Sequence, residues 1–124
     1  MKIVSTNNAP MAIGPYSQGI IVNNIIYTSG QIPINPLTGL IEASDIETQA
    51  HQAFKNLKAI LEEAGSSLDK VIKTTVFVKN IADFNKINEI YATYFINKPA
   101  RSLVEVSSLP KNALIEIEAI GLIV

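Results

Sequence analysis

One arginine is the most distinctive of the side chains that are capable of chemistry. Arg101 is the only arginine among ten basic residues, and the other nine are lysines. A guanidinium group offers a planar fork that binds a carboxylate or phosphate through two parallel hydrogen bonds, which an ammonium group cannot do. Arg101 is therefore a candidate anion-binding residue. A structural ion pair with a glutamate explains it equally well.

Two glutamates in the last predicted strand are candidates for acid–base chemistry. Strand alternation places Glu116 and Glu118 on the same face as Leu114 and Ile120. If an oligomer buried that face, a carboxylate there would lose water and need a partner or a chemical role. We expect Glu118 to be an ordinary solvated residue. For Glu116 the solvated and the functional interpretations are both open.

One residue and two short segments are weaker candidates for a functional site. Asn88 lies within the apolar arc of the second predicted helix, where either a structural or interface hydrogen bond or a ligand contact explains it. The segments Gly14-Pro15-Tyr16 and Ser29-Gly30-Gln31 are first of all turns that bring the backbone close to another group. Tyr16 adds a hydroxyl on a rigid ring.

The residue inventory excludes several classes of chemistry. The chain has no cysteine, which excludes Cys-ligated zinc, a thiol nucleophile and a disulfide framework. Its one histidine, His51, lies about 120° from the centre of the apolar stripe of its helix, so we expect it on a solvated face. A transition-metal site and a Ser-His-Asp triad therefore both lack necessary residues. No nucleotide-binding fingerprint is present, and the net charge of −1 disfavours nucleic acid as a partner.

Hydrophobic periodicity predicts the elements that position these residues. The expected strands and helices, in chain order, are Lys2–Thr6, Gln18–Asn23, Ile25–Ser29, helix Ser44–Ala64, strand Lys70–Lys79, helix Ile81–Phe95, and strands Arg101–Ser107 and Ala113–Leu122. Asn23-Asn24 predicts a tight hairpin. Ser44 and Glu47 form a capping box, and Asn80 and Asp83 mark the start of the second helix. In the fourth strand we expect Ile72, Val76 and Val78 on one face, with Val71 and Phe77 on the other.

This element order predicts an α/β (α+β) sandwich in a single domain, residues 1–124, with one mixed sheet of five to six strands and two helices on one face. Two helices leave the other face of the sheet uncovered, and its apolar residues predict self-association. No apolar run is long enough to cross a bilayer, and the first residues lack a signal-peptide core. We therefore expect a soluble cytoplasmic protein.

Several segments of the chain together resemble one known family. They are Ala12-Ile13-Gly14-Pro15-Tyr16-Ser17-Gln18, Thr28-Ser29-Gly30-Gln31-Ile32-Pro33, Lys73-Thr74-Thr75-Val76-Phe77-Val78, Pro99-Ala100-Arg101-Ser102, and Leu109-Pro110-Lys111 followed by Glu116-Ile117-Glu118-Ala119-Ile120. In order and spacing they resemble the RidA (YjgF) family of reactive-intermediate imine deaminases over essentially the whole chain.

The resemblance implies a chorismate-mutase-like fold, a homotrimer with ligand clefts between subunits, and no cofactor. It implies hydrolysis of enamine and imine acids, such as 2-aminoacrylate, 2-iminopropanoate and 2-iminobutanoate, to 2-oxo acids and ammonia, which protects pyridoxal-phosphate enzymes. Arg101 matches the family's carboxylate-binding arginine, and Glu116, not Glu118, matches the glutamate that positions water. The other matched cleft positions are Tyr16, Ser29, Gly30 and Asn88.

The chain departs from the family pattern at two places. Leu103 occupies a position where many bacterial members have cysteine, so a thiol switch is absent and the local wall is more apolar. The segment Ile96-Asn97-Lys98 is shorter than in many relatives, which leaves the substrate size preference open.

Two other functions compete with the deaminase. A non-catalytic trimer that senses 2-oxo acids, or binds a partner protein, would use the same cleft or the outer surface. A ribonuclease or translation inhibitor ranks lower, because the chain has near-neutral charge, no tryptophan and only one histidine.

Overall fold

The computed structural model describes residues 1–124 and contains a mixed six-stranded sheet with two α-helices on one face. The elements are β1 (Lys2–Val4), β2 (Gly19–Val22), β3 (Ile25–Thr28), α1 (Ile46–Glu63), β4 (Val71–Val78), α2 (Phe84–Tyr94), β5 (Ala100–Glu105) and β6 (Ile115–Leu122). The strand order is β1-β2-β3-β6-β4-β5, and only β4 and β5 are parallel. The predicted fold class is confirmed.

Helix α1 forms because its apolar residues recur at helical spacing. The predicted stripe packs into the core, with Phe54, Leu57 and Ile60 fully buried against the sheet. The predicted capping box at Ser44 is wrong. The helix begins at Ile46, two residues after the predicted start, and its N-cap is Asp45, whose side chain accepts a hydrogen bond from the Thr48 N–H at 2.8 Å.

Strand β4 departs from simple alternation at its start. Val76 and Val78 face the helices as predicted, and Phe77 lies on the opposite face. The predicted sides of Val71 and Ile72 are wrong, since Val71 is in the core and Ile72 is exposed. A β-bulge between Val71 and the next residue paired to β6 causes this, because one extra residue inverts the side-chain alternation.

The predicted hairpin turn is confirmed, whereas the predicted start of the second helix is not. Asn23 and Asn24 adopt positive φ angles of 50° and 61°, as the predicted tight hairpin between β2 and β3 requires. The second helix is preceded by a 3₁₀ turn at Ile81–Asp83, so the α-helix itself begins at Phe84. Neither Asn80 nor Asp83 makes the expected side-chain cap.

The face of the sheet away from the helices, called the open face below, carries many apolar side chains. It includes Ile3, Ile20, Val22, Tyr27, Phe77, Val104 and Ile120, beside Lys73, Glu116 and Glu118. Within one chain nothing covers it, and Ile3 is 61% exposed. Neither helix is long and apolar enough to cross a membrane.

Candidate active site

Glu116 lines a cavity of about 480 Å³, which is called the glutamate cavity below. Its lining residues come from the N-terminal loop, the segment after β3 and the turn before β6: Pro10, Met11, Ile13, Tyr16, Gly30, Gln31, Ile32, Ile34, Pro110, Lys111 and Glu116. Strand β6 supplies Glu116, which is half-buried on the open face beside Phe77 of β4.

Burial raises the pKa of the Glu116 carboxyl above its ordinary value of 4.5, and the nearby charge of Glu118 raises it further. Both effects disfavour the ionised form, because the carboxylate loses water and faces a like charge. A carboxyl group with a raised pKa exchanges protons closer to neutral pH than a solvated one. Glu116 is therefore a candidate general base.

The Gly30 backbone lies directly against the Glu116 side chain. A Cβ atom placed on Gly30 would come within 2.8 Å of the Glu116 Cδ atom and closer still to Oε2. Two backbone hydrogen bonds hold this segment against β6, from Gln31 N to Ile117 O at 2.7 Å and from Ile117 N to Gln31 O at 3.1 Å. A side chain at position 30 would therefore displace the end of the Glu116 side chain.

Tyr16 and Ser29 have different positions relative to the glutamate cavity. Tyr16 lines it, is 52% exposed, and accepts a hydrogen bond from the Ile13 N–H at 3.3 Å. Ser29 is not among the lining residues. Its hydroxyl donates to the Ser17 carbonyl at 2.6 Å and thereby fastens the loop that carries Tyr16 to the end of β3.

Two buried amides that the sequence analysis did not identify as site residues hold the cavity walls. Gln18 donates to the carbonyl oxygens of Thr6 and Pro10, at 3.0 and 2.8 Å. Asn56 of α1 donates to the carbonyl oxygens of Ile32 and Ile34, at 3.1 and 2.8 Å. The signal in the sequence was a polar residue, Asn56, next to Leu57 within the apolar stripe.

Arg101 lies in a second depression of about 570 Å³, called the arginine groove below. The groove is lined by Asn88, Tyr91, Ala92, Phe95, Ile96, Lys98, Pro99 and Arg101. Arg101 is half-buried on β5, and its Nη1 donates to Asn88 Oδ1 at 2.8 Å. The guanidinium carbon lies 4.7 Å from the centre of the Tyr91 ring, within range of a cation–π interaction.

The structural ion-pair explanation of Arg101 is wrong. The chain contains two ion pairs, Lys58–Glu62 and Lys86–Glu47, and neither involves Arg101. Its protein partners are one neutral amide and aromatic rings, so most of its five N–H donors are available to an anion. Tyr91 was not predicted as a site residue, although its position three residues after Asn88 places it on the same helix face.

Arg101 and Glu116 lie on opposite faces of the sheet. Arg101 pairs with Thr74, which is buried beneath the helices, whereas Glu116 pairs with Phe77 on the open face. Strand β4 separates the two strands that carry them. One chain therefore brings Arg101 to Asn88 and brings Glu116 to Gly30 and Tyr16, but does not bring the two groups together.

The lone histidine belongs to neither depression. His51 is exposed on α1, as expected, and its Nδ1 lies 2.8 Å from the Tyr94 hydroxyl. No three His, Cys, Asp or Glu side chains are grouped so that they could hold a metal ion.

Comparison with known proteins identifies the family. The family model described as Endoribonuclease L-PSP, which represents the YjgF/RidA proteins, matches residues 6–123. The chain belongs to the YjgF/RidA family. The solved structure of the YjgF gene product from Escherichia coli is 50% identical, superposes with a TM-score of 0.94, and the match covers 98% of each chain.

Relatives within the YjgF/RidA family have different names. A protein of Lactococcus lactis described as a candidate regulator, AldR, is 60% identical over 98% of this chain and 97% of its own length. A protein of Escherichia coli K12 named 2-iminobutanoate/2-iminopropanoate deaminase is 52% identical over 97% of this chain and 96% of its own length. The family membership alone therefore does not fix one activity.

The two positions at which the sequence resemblance predicts departures from the YjgF/RidA pattern, Leu103 and Ile96-Asn97-Lys98, lie close to Arg101 in the chain. Leu103 is half-buried on the helix side of β5, packs against the core, and lines neither depression. The segment Ile96-Asn97-Lys98 is part of the arginine groove, because Ile96 and Lys98 line it.

Proposed function

We propose that the protein hydrolyses 2-imino acids and their enamine tautomers, such as 2-aminoacrylate, 2-iminopropanoate and 2-iminobutanoate, to 2-oxo acids and ammonia. The observation that carries this proposal is the half-buried guanidinium of Arg101, which no carboxylate of the chain neutralises. The deaminase name of a relative at 52% identity supports it.

Arg101 binds the substrate carboxylate in this proposal. The Asn88 amide oxygen takes one N–H, and the Tyr91 ring lies against the guanidinium plane. The remaining donors match the two oxygens of a carboxylate, and a hydrogen bond to a charged group contributes about 1.5–3 kcal/mol. Fixing the acid end also fixes the imine carbon one bond away.

Glu116 activates the water. The protonated imine carbon is already electrophilic, so no metal or covalent nucleophile is needed. Glu116 takes one proton as the water oxygen bonds to that carbon, which gives a carbinolamine. Glu116 then returns the proton to the nitrogen, and as the C–N bond breaks it accepts the proton of the carbinolamine hydroxyl, so that the C=O bond of the 2-oxo acid forms and ammonia leaves. Ammonia takes up this proton as ammonium, which restores the Glu116 carboxylate. Such general acid–base catalysis contributes roughly a hundred- to ten-thousandfold in rate.

A second copy of the chain completes the site. Because Arg101 and Glu116 lie on opposite faces of one sheet, a substrate that touches both must lie between two subunits. The uncovered apolar residues of the open face are a surface through which copies can associate. We propose the homotrimer that the family resemblance implies, with clefts between subunits, acting in the cytoplasm beside the pyridoxal-phosphate dehydratases that release these intermediates.

A coupled assay tests the activity. A serine or threonine dehydratase generates the imine, and release of the 2-oxo acid is followed with and without the protein. Acceleration that is lost in Arg101→Lys supports the proposal, because an ammonium retains charge without the fork. No acceleration by the wild-type protein overturns it.

A mixing experiment tests the shared site. Arg101→Ala and Glu116→Ala variants, each inactive alone, are unfolded, mixed and refolded together. Sites formed between unlike chains then contain both wild-type groups, and activity returns. If both variants fold and associate but the mixture stays inactive, the two residues do not share a site.

A regulatory protein that binds 2-oxo acids without catalysis is the second candidate, favoured by the 60% identity to AldR. Saturable binding of 2-oxobutanoate without any acceleration in the coupled assay identifies that function. A ribonuclease is disfavoured, because the one histidine lies outside both depressions.

A further inference from the structure

A second basic side chain, Lys98, lines the arginine groove. Lys98 lines it together with Arg101, and the other lining residues are uncharged. No carboxylate neutralises either cation, since both ion pairs of the chain lie elsewhere. The groove therefore has two positive charges that no carboxylate of the same chain neutralises, one half-buried at Arg101 and one exposed at Lys98.

The turn that carries Lys98 is held in place from both sides. Lys98 adopts a left-handed conformation with φ of 52°, and its N–H donates to the Phe95 carbonyl at 3.2 Å. The neighbouring Asn97 donates to the Asp69 carbonyl at 2.6 Å. Pro99 follows and restricts the backbone further. These contacts fix where the Lys98 stem leaves the backbone, three residues before Arg101.

The extent of the groove and its apolar lining indicate that it can accommodate a ligand longer than three carbons. In one chain the depression has a volume of about 570 Å³ and is open to solvent, so a three-carbon acid bound to Arg101 does not reach all of its lining. Tyr91, Phe95 and Ile96 supply apolar surface beside the cations. A chain of several carbons can lie on that surface.

We propose that Lys98 binds a second acidic group, so that the preferred substrates are 2-imino dicarboxylic acids of about four or five carbons. In this inference, which rests on the proposed function, Arg101 binds the carboxylate beside the imine and Lys98 binds the distal one. The Lys98 ammonium acts as a solvated point charge, so geometry at the distal end is permissive.

Two product analogues of equal chain length test this proposal. 2-Oxoglutarate and 2-oxopentanoate differ in bearing a carboxylate or a methyl group at the end away from the oxo acid. Titration calorimetry measures the dissociation constants of both for the wild-type protein, Lys98→Gln and Lys55→Gln. Lys55 is the matched control, an exposed lysine of α1 that lines neither the groove nor the glutamate cavity.

We expect the wild-type protein and Lys55→Gln to bind 2-oxoglutarate about fivefold more tightly than 2-oxopentanoate, as suits a largely exposed ion pair. In Lys98→Gln the ratio of the two constants falls to about one. Equal affinities in the wild-type protein, an unchanged ratio in Lys98→Gln, or no measurable 2-oxoglutarate binding overturns the proposal.

The coupled assay with 2-iminobutanoate separates this inference from the proposed function. Rapid hydrolysis of that monocarboxylate together with no preference for 2-oxoglutarate refutes the role of Lys98 alone. A lysine-dependent preference without hydrolysis of any imine refutes the deaminase and leaves the groove as a dicarboxylate-binding site.

Discussion

The Glu116 carboxylate occupies the space that a side chain at Gly30 would need, since a Cβ atom there would come within 2.8 Å of the Glu116 Cδ atom. The backbone pairing of Gln31 with Ile117 prevents the Gly30 segment from moving away. The position of the carboxylate is therefore set by the absence of a side chain on its neighbour.

Gly30→Ala is expected to reduce imine hydrolysis at least tenfold with little loss of thermal stability. The methyl group displaces the end of a flexible side chain, and a misplaced catalytic group loses rate steeply. Coupled turnover and thermal unfolding measure the two effects. Adding Gly30→Ala to a Glu116→Ala variant removes the clash, so no further loss of residual rate is expected there. A large extra loss in that background would show that Gly30 acts on something else.

The pKa of Glu116 predicts how stability depends on pH. The pKa is raised above 4.5 in the folded state, so folding favours the protonated carboxyl. The contribution of this group to the free energy of unfolding is therefore fully present below pH 4.5. It is lost as pH rises through the folded-state value. As pH rises from 4.5 through the folded-state pKa, the wild-type protein should therefore lose stability relative to Glu116→Gln. Urea titration at fixed protein concentration measures the difference between their free energies of unfolding.

Glu118→Gln is the control for the cause of that shift. It removes the smaller, electrostatic contribution and leaves the burial, so the pH-dependent difference should shrink without disappearing. A wild-type protein whose stability relative to Glu116→Gln does not change between pH 4 and 7 would contradict the raised pKa.

Asn88→Asp is expected to weaken 2-oxobutanoate binding about tenfold, although the hydrogen bond to Arg101 is retained. An aspartate 2.8 Å from Nη1 would form an ion pair with the guanidinium and compete with the ligand carboxylate. Asn88→Ala removes the hydrogen bond without adding a competitor, so its loss should be smaller. Calorimetry compares the two, and tighter binding by Asn88→Asp would show that the ligand does not meet Arg101.

Asn56→Ala is expected to lower the free energy of unfolding by about 2–4 kcal/mol, because two buried carbonyl groups lose their donor. Gln52→Ala is the matched control, since Gln52 contacts the Asn56 amide oxygen from a partly buried position one turn earlier. Its expected cost is below about 1 kcal/mol. Urea unfolding at one protein concentration compares them, and equal costs would contradict a structural role for the two carbonyl contacts.

Local patterns predicted the elements well where neighbouring residues decide the structure. The stripe of α1 and the Asn23-Asn24 hairpin are examples, because periodicity and positive φ preference act within a few residues. The bulge that inverts Val71 and Ile72 was not predictable, since it depends on the register with β6.

In the candidate site, too, local sequence predicted which residues matter but not how they are arranged. Residue type pointed to Arg101, and residue type with strand position pointed to Glu116. The segment Ser29-Gly30-Gln31 was predicted from its residues as a close backbone approach, and the resemblance added Gly30 to the cleft. That the first two face opposite sides of the sheet depends on the order and register of three strands, which no local pattern encodes. The contact between Arg101 and Asn88 depends on how α2 packs, for the same reason.

The parallel pairing of β4 with β5 has a consequence for how this fold can diversify. A parallel pair needs a crossover, and here the crossover is α2, so Asn88, Tyr91 and Arg101 all belong to one β-α-β segment. Glu116 and the residues around it come from other parts of the chain. Changes in the length of the turn between α2 and β5 can thus reshape the arginine groove while the cavity around Glu116 stays as it is.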